Sequence, residues 1–415
     1  MIKENRYAVS GGLAIILAAF FWSLDGLFIR THFYAYPAGL IVFWEHFLGL
    51  IALCPFIIMN WWRIRSLKPR HWLAIFWVSL FGGLLGTLFI TKAFFAAFAG
   101  ETTFATVVIL QKLQPFFALF LARAILKEKL PSRFYLWAAL AIAASYFLAF
   151  GGTGLNLSQV DWLHSAAVFA FLAAFAFGSS TVFGKRLANH LDYRAVAGLR
   201  FLLTSILAFI LILIGGNLAQ TAAFGAKQWA LLALIVLTSG AGAMFIYYYG
   251  LRRVSASTAT ILELFWPVSA LVMDYFFNGA RLSWIQALAA LVIIFAFFKV
   301  SSLGRAEKLF FKAKVVFGRQ RGRRLGFPTA NLDRLDLDIP HGIYVIKAEV
   351  EGKPYSGLMH FGYKDAFGEP PSLEVLLKDF SGDLYGREIG IKVGRKLREI
   401  KGFKGEDRLK EAIRR

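Results

Sequence analysis

Apolar stretches long enough to cross a bilayer recur at about residues 11–31, 37–59, 72–97, 102–125, 131–152, 163–184, 195–216, 228–250, 256–278 and 282–302. No other feature of the chain restricts its fold as strongly. A run of that length in hydrocarbon must satisfy every backbone N–H and C=O within itself, so it forms a helix. The spacing therefore predicts a multi-pass α-helical membrane protein of ten helices over residues 1–302. The first run is read as a span rather than a cleavable leader, because it is long enough to cross and no small-residue cleavage site follows it.

The formal net charge is +21. Basic chains often bind nucleic acid, but here the positive residues lie in short loops between apolar runs, and nucleic acid is not expected as a partner. Arg63, Arg65, Lys68 and Arg70 fall between runs two and three, and Arg123, Lys127, Lys129 and Arg133 around the junction of four and five. Lys185, Arg186 and Arg194 separate six and seven, and Arg252 and Arg253 separate eight and nine. The alternate loops hold only Arg30, Lys227 and Arg281. This bias predicts a cell-membrane protein with both termini in the cytoplasm. The single cysteine, Cys54, sits in an apolar run and supports neither a disulfide framework nor a cysteine metal site.

A shift of 152 positions lays Pro115 on Pro267, Thr106 on Thr258, Ile109 on Ile261, Leu110 on Leu262, Ala118 on Ala270, Leu119 on Leu271 and Leu130 on Leu282. The membrane part thus reads as two five-helix repeats, about 10–152 and 162–302. Five is odd, so the second repeat is inverted relative to the first, as in alternating-access carriers. Polar residues at membrane depth are costly and tend to face a cavity or a partner. They are Asp25, Glu45, His46, Lys92, Gln111, Lys112, Gln114, Arg200, Glu263 and Asp274. Gln111 and Lys112 lie about one turn before Pro115, and Glu263 lies one turn before Pro267. A proline frees a carbonyl one turn upstream, so a transport pocket is expected at Gln111, Lys112, Glu263 and Trp266, with Tyr247 and Tyr248 as further aromatic walls. Internal pairing of Lys112 with Glu263 is the competing expectation.

Three sets of residues carry a resemblance to the ten-helix, EamA-type form of the drug/metabolite transporter superfamily. They are Trp22-Ser23-Leu24-Asp25-Gly26, the Pro-centred fourth and ninth runs, and Leu126-Lys127-Glu128-Lys129-Leu130. The second half departs from the pattern, since Asn278-Gly279-Ala280-Arg281-Leu282 lacks the acidic residue.

After a short polar linker (303–308) the pattern changes to short alternating segments at Lys312–Phe317, Gly342–Val350, Tyr355–Phe361, Ser372–Lys378 and Glu388–Leu397, with a closing helix at Asp407–Arg414. Five or six short strands over 309–415 predict a small six-stranded β-barrel. Its opening segment, Gly318 to Asn331, interleaves glycines with arginines. Glycines let backbone N–H groups approach an anion, and Thr329 and Asn331 offer oxygens suited to Mg²⁺ that phosphates also hold.

Arg321-Gly322-Arg323, then Leu325-Gly326-Phe327-Pro328-Thr329-Ala330-Asn331, resembles the start of the riboflavin kinase domain. Pro340-His341-Gly342-Ile343-Tyr344, Ser372-Leu373-Glu374-Val375 with Asp379 to Arg387, and Leu397-Arg398-Glu399 with Lys401 and Phe403 extend the resemblance in order. It implies that Thr329 and Asn331 hold Mg²⁺ and phosphate oxygens, and that Gly318, Gly322 and Gly326 shape the phosphate-side loop. It further implies that Glu374 accepts the ribityl 5′-hydroxyl proton, that Arg398 and Phe403 lie near the flavin, and that ATP is co-substrate. Leu376 and Met359-His360-Phe361-Gly362 depart from the family's usual residues. No H-x-G-H nucleotidyl-transfer module precedes the domain, so FAD synthesis is not expected.

The sequence reading is therefore a lipid-embedded transporter of riboflavin or a related metabolite, fused to an ATP-dependent kinase that makes FMN. Its rival is a transporter whose C-terminal domain senses flavin without turnover. Oligomeric state stays open, a homodimer included.

Overall fold

A computed structural model describes residues 2–100, 104–128, 130–150, 166–278, 283–303, 310–317, 329–335, 337, 339, 341–364, 369–398 and 400. The chain divides into two compact units, one of Arg6–Arg305 and one of Ala306–Arg415 together with Met1–Asn5.

Among the described residues the first unit holds ten helices apolar and long enough to span a membrane. They are α1 (Val9–Phe33), α2 (Ala38–Met59), α3 (Pro69–Phe98), α4 (Thr106–Ile125), α5 (Ser132–Ala149), α6 (Ala166–His190), α7 (Tyr193–Ile214), α8 (Ala226–Leu251), α9 (Ala256–Phe277) and α10 (Trp284–Leu303). The charges in the third, fourth and ninth runs did not prevent helix formation. Leu303, expected to open the linker, belongs to the last turn of α10, and 304–309 lie outside the described residues. Large apolar side chains such as Leu13, Ile51, Phe120, Leu136 and Ile214 point outward, which suits hydrocarbon rather than water. Small residues fill the interior, as in the buried series Ala166, Ala167, Ala170, Ala173, Ala174 and Ala176 on α6, where they let helix backbones approach closely.

Two spans are broken where the prolines foretold. Helix α4 consists of Phe104–Gln111 and Gln114–Ile125, and α9 of Ala256–Leu262 and Phe265–Asn278. Pro115 and Pro267 have no N–H to offer the carbonyls of Gln111 and Glu263 four residues upstream. The Glu263 carbonyl instead accepts the Trp266 N–H at 3.1 Å. Helix α8 is also interrupted, at Thr238–Gly240 between Ala226–Leu237 and Ala241–Leu251.

Helix α3 widens to a π-helix over Val78–Leu85. There Gly82 and Gly83 let it meet α6 and α7 at backbone distance. A Cβ on Gly83 would run into Thr204, whose hydroxyl donates to the Ser79 carbonyl at 3.0 Å. Gly83→Val should therefore destabilise the membrane unit by about 1–3 kcal/mol, the usual cost of overpacking. Thermal unfolding in detergent checks this.

In the second unit six strands close into an antiparallel barrel in the order β1-β2-β5-β4-β3-β6. They are β1 (Phe310–Val316), β2 (Ala330–Leu332), β3 (Gly342–Val350), β4 (Lys353–Lys364), β5 (Glu369–Leu377) and β6 (Glu388–Arg398). Alternation sends Phe311, Ala313 and Val315, then Tyr344, Ile346 and Ala348, then Leu373 and Val375, and Ile389, Ile391 and Val393 into one core. The β3–β4 hairpin turns on Glu351 and Gly352, both at positive φ (50° and 77°), the two-residue turn whose twist matches antiparallel strands. The expected helix at Asp407–Arg414 lies outside the described residues.

Candidate functional site

The breaks in α4, α8 and α9 surround a cavity of about 140 Å³. Each break leaves backbone unable to continue its helical ladder, which is tolerated at membrane depth only beside protein or a water-filled space. All four residues expected at the transport pocket, Gln111, Lys112, Glu263 and Trp266, line it. Gln111 donates to Gln114 Oε1 at 2.8 Å, and Gln114 donates to Glu263 Oε2 at 2.5 Å. Tyr247 donates its hydroxyl to Glu263 Oε1 at 2.8 Å, and its oxygen lies 3.0 Å from Thr181 Oγ1. Both Glu263 oxygens thus have neutral partners. The Lys112–Glu263 ion pair, the competing expectation, does not form among the described residues. The Lys112 ammonium instead sits 4.9 Å from the Trp266 ring centre, a cation–π contact.

Asp25, Glu45, His46 and Arg200 line the same cavity, as the sequence allowed. His46 is a hydrogen-bonded core histidine: Nδ1 lies 2.8 Å from the Val42 carbonyl, so that nitrogen carries the proton, and the ring stacks on Phe201. Lys92 does not line the cavity; it is exposed, 5.2 Å from the Phe169 ring centre. The Asp274 side chain lies outside the described residues.

Two charges counted in the loops are buried instead. Lys185 lies within α6 and donates its ammonium to the Leu251 carbonyl at 2.9 Å. Arg30, counted as a loop charge, is buried at the end of α1 and lines the cavity. Its Nη2 reaches Asp25 Oδ2 at 2.6 Å and Glu45 Oε2 at 2.9 Å, and its Nη1 donates to Thr91 Oγ1 at 3.0 Å. Asp25–Ile29 is π-helical, so residues five apart come together, and the Arg30 N–H bonds the Asp25 carbonyl. Opposite charges five apart at the end of an apolar run were the signal to read. Arg200 is anchored by Nη2 to the Gly82 carbonyl at 2.6 Å, within the π-helical stretch of α3. Among the described residues, three carboxylates (Asp25, Glu45, Glu263) and three cations (Arg30, Lys112, Arg200) line the cavity, so its formal charges cancel. Trp22, Phe94, Tyr247, Tyr248 and Trp266 supply its aromatic wall, with Phe94 and Trp266 nearly parallel at 6°.

The second site is on the outer face of the barrel. Cross-strand register places Asn331 opposite Glu374, and Glu374 opposite His360. Their neighbours Leu332, Leu373, Val375, Met359 and Phe361 are buried, so all three side chains leave the core on one face. Thr329 precedes β2 and donates its hydroxyl to Glu374 Oε2 at 3.3 Å. Thr329 and Asn331, read from one motif, and Glu374, read from another, are thus neighbours. Their hydroxyl, amide and carboxylate oxygens form a donor set that fits a hard divalent cation also held by phosphates. His360 was noted only as a departure from a family pattern; its place beside Glu374 needed the strand register.

The Asp379-to-Arg387 motif turns back toward β1. Asp379 adopts φ 57°, the Gly386 N–H bonds the Val315 carbonyl at 2.9 Å, and Tyr385 stacks on Phe317 at 4.1 Å. Gly318, Gly322, Gly326 and Phe403 lie outside the described residues. Arg398 ends β6, paired with Ile343, and its side chain is likewise outside them.

Comparison with known proteins assigns both units. A model of the "EamA-like transporter family" matches residues 9–150 and 164–302, and a "Flavokinase: Riboflavin kinase" model matches 305–415. The riboflavin transporter ImpX of Fusobacterium nucleatum subsp. nucleatum is 37% identical over 299 residues, 71% of this chain and 98% of that protein. The bifunctional riboflavin kinase/FMN adenylyltransferase of Bacillus subtilis is 41% identical over 113 residues, 26% of this chain and 36% of that protein, so the likeness spans only about a third of that relative. One solved crystal structure shares the fold at TM-score 0.55 and 18% identity, covering 72% of this chain and 98% of its own. The protein belongs to the EamA-like transporter family and carries a riboflavin kinase domain at its C-terminal end.

Proposed function

We propose that the membrane unit carries riboflavin inward and that the C-terminal unit phosphorylates it with Mg-ATP to FMN, which holds the vitamin in the cell. The observation that carries this reading is the joining, in one chain, of a membrane unit similar over its whole length to a riboflavin transporter and a riboflavin kinase domain. The cavity chemistry supports it: aromatic walls suit a planar ring system, and cancelling charges suit an uncharged ligand. A phosphate monoester adds about −1.5 to −2 charges at pH 7, which an apolar path opposes. The positive-inside bias supports cytoplasmic termini, and the matching breaks in α4 and α9 support two inverted repeats over 1–302. The reading takes 303–308 as linker and 309–415 as kinase domain.

In the kinase domain Glu374 accepts the 5′-hydroxyl proton as that oxygen attacks the γ-phosphorus, while the bond from the γ-phosphorus to the β–γ bridging oxygen breaks and ADP leaves. Thr329 donates to Glu374 in the resting site and, with Asn331, would hold the metal and phosphate oxygens. When bound, Mg²⁺ neutralises charge on the transferred group. Gly318, Gly322 and Gly326 shape the phosphate side, and Arg398 and Phe403 the flavin side.

Cells without their own riboflavin uptake, given this chain, should accumulate labelled riboflavin and hold it mainly as FMN. Label that stays outside, while extracts of the same cells make FMN, sinks the coupled reading.

A further inference from the structure

Glu128 lies in the connection after α4, 9% exposed. Its carboxylate accepts the Ala256 N–H at 2.8 Å, the Ser257 N–H at 3.2 Å and the Ser257 hydroxyl at 2.5 Å. Ser255 Oγ covers the next donor, the Thr258 N–H, at 3.0 Å. One side chain from the first half thus fastens the start of α9 in the second. The chain bends sharply to deliver it: Lys127 adopts φ 54°, unusual for a residue with a side chain, and the Glu128 N–H bonds back to the Ala122 carbonyl at 3.2 Å. The fastened piece, Ala256–Leu262, ends at the break that presents Glu263 to the cavity. A shift of 152 positions takes Glu128 to Ala280, which has no carboxylate to offer the other face.

We infer that Glu128 is a positioning residue that latches one face of the carrier shut, and that its release from α9 is a step of the transport cycle. This rests on the transport reading for its meaning. Charge-assisted hydrogen bonds into a buried helix end are individually strong, yet all three involve one side chain, so a small movement of α9 breaks them together. Because the equivalent position on the other face is Ala280, which offers no carboxylate, the carrier rests closed on the Glu128 side.

Cysteine labelling of the full-length protein in membranes tests this. Cys54→Ser gives a cysteine-free background, because the chain has a single cysteine. Ala256→Cys then places a thiol at a position buried in the latched state. Maleimide should label this introduced thiol roughly tenfold faster in Glu128→Ala, and to an intermediate extent in Glu128→Gln, which keeps one acceptor oxygen and the same volume. For riboflavin uptake by Glu128→Gln, the maximal rate should change about fivefold while the half-saturating concentration moves less than about twofold. Equal labelling of the Glu128 parent and Glu128→Gln overturns the latch, even where Glu128→Ala fails to fold. Labelling needs no substrate, so a difference in labelling without uptake by the parent would count against riboflavin as cargo and leave the latch standing.

Discussion

Glu374→Gln in the full-length protein should lower the turnover of riboflavin to FMN by about 10²–10⁴-fold, the usual contribution of a positioned general base. The substitution keeps the shape of the side chain and an oxygen that can accept the Thr329 hydroxyl, now 3.3 Å from Glu374 Oε2. It removes the negative charge and, with it, the ability to take a proton. Glu374 stands outside the barrel core on β5, so stability should change by less than about 0.5 kcal/mol, and half-saturating ATP should stay within a few-fold. Chromatographic measurement of FMN with Mg-ATP decides the matter. Near-parental turnover in Glu374→Gln would place the base elsewhere. Loss of turnover together with loss of ATP affinity would give Glu374 a role in holding the nucleotide instead.

The membrane unit was largely legible because its signals are local. A span announces itself by length and apolarity, and a break by a proline with polar residues one turn upstream. Gln111, Lys112 and Glu263 were picked out by spacing and Trp266 as an aromatic beside them, and the structure gathers all four at one cavity. Arg30 was misplaced for a physical reason. Sequence reading assumes 3.6 residues per turn, whereas Asp25–Ile29 winds as a π-helix and carries Arg30 back over Asp25. Glu128 was read as part of a family motif, but its bond to the start of α9 spans 128 positions and leaves no local trace.

In the barrel, the longer alternating strands were legible and β2 was not. Ala330–Leu332 has three residues, too few to show a period, and it follows a Pro-Thr pair that reads as loop. That short strand is what brings Asn331 opposite Glu374. The roles of Thr329, Asn331 and Glu374 followed from resemblance, and their adjacency followed from register.

Removing one charge from the cavity should harm transport more than removing two. Lys112→Met leaves three carboxylates against two cations among the described residues that line the cavity. An uncompensated buried charge costs about 3–5 kcal/mol, which a neutral ligand does not offset. Riboflavin uptake should fall more than tenfold in Lys112→Met, in line with even part of that cost. Glu263→Gln alone leaves the opposite imbalance, although the glutamine can still accept one of the two hydrogen bonds from Tyr247 and Gln114. The double variant Lys112→Met with Glu263→Gln restores the balance of charge. It should transport better than Lys112→Met, so the two substitutions interact rather than add. Initial uptake rates over a range of riboflavin concentrations give the comparison, with FMN formation by the permeabilised cells as a control for the amount of intact protein. If the double variant loses the product of the two single losses, Lys112 and Glu263 meet the substrate independently and the cancelling charges play no part in selecting an uncharged cargo.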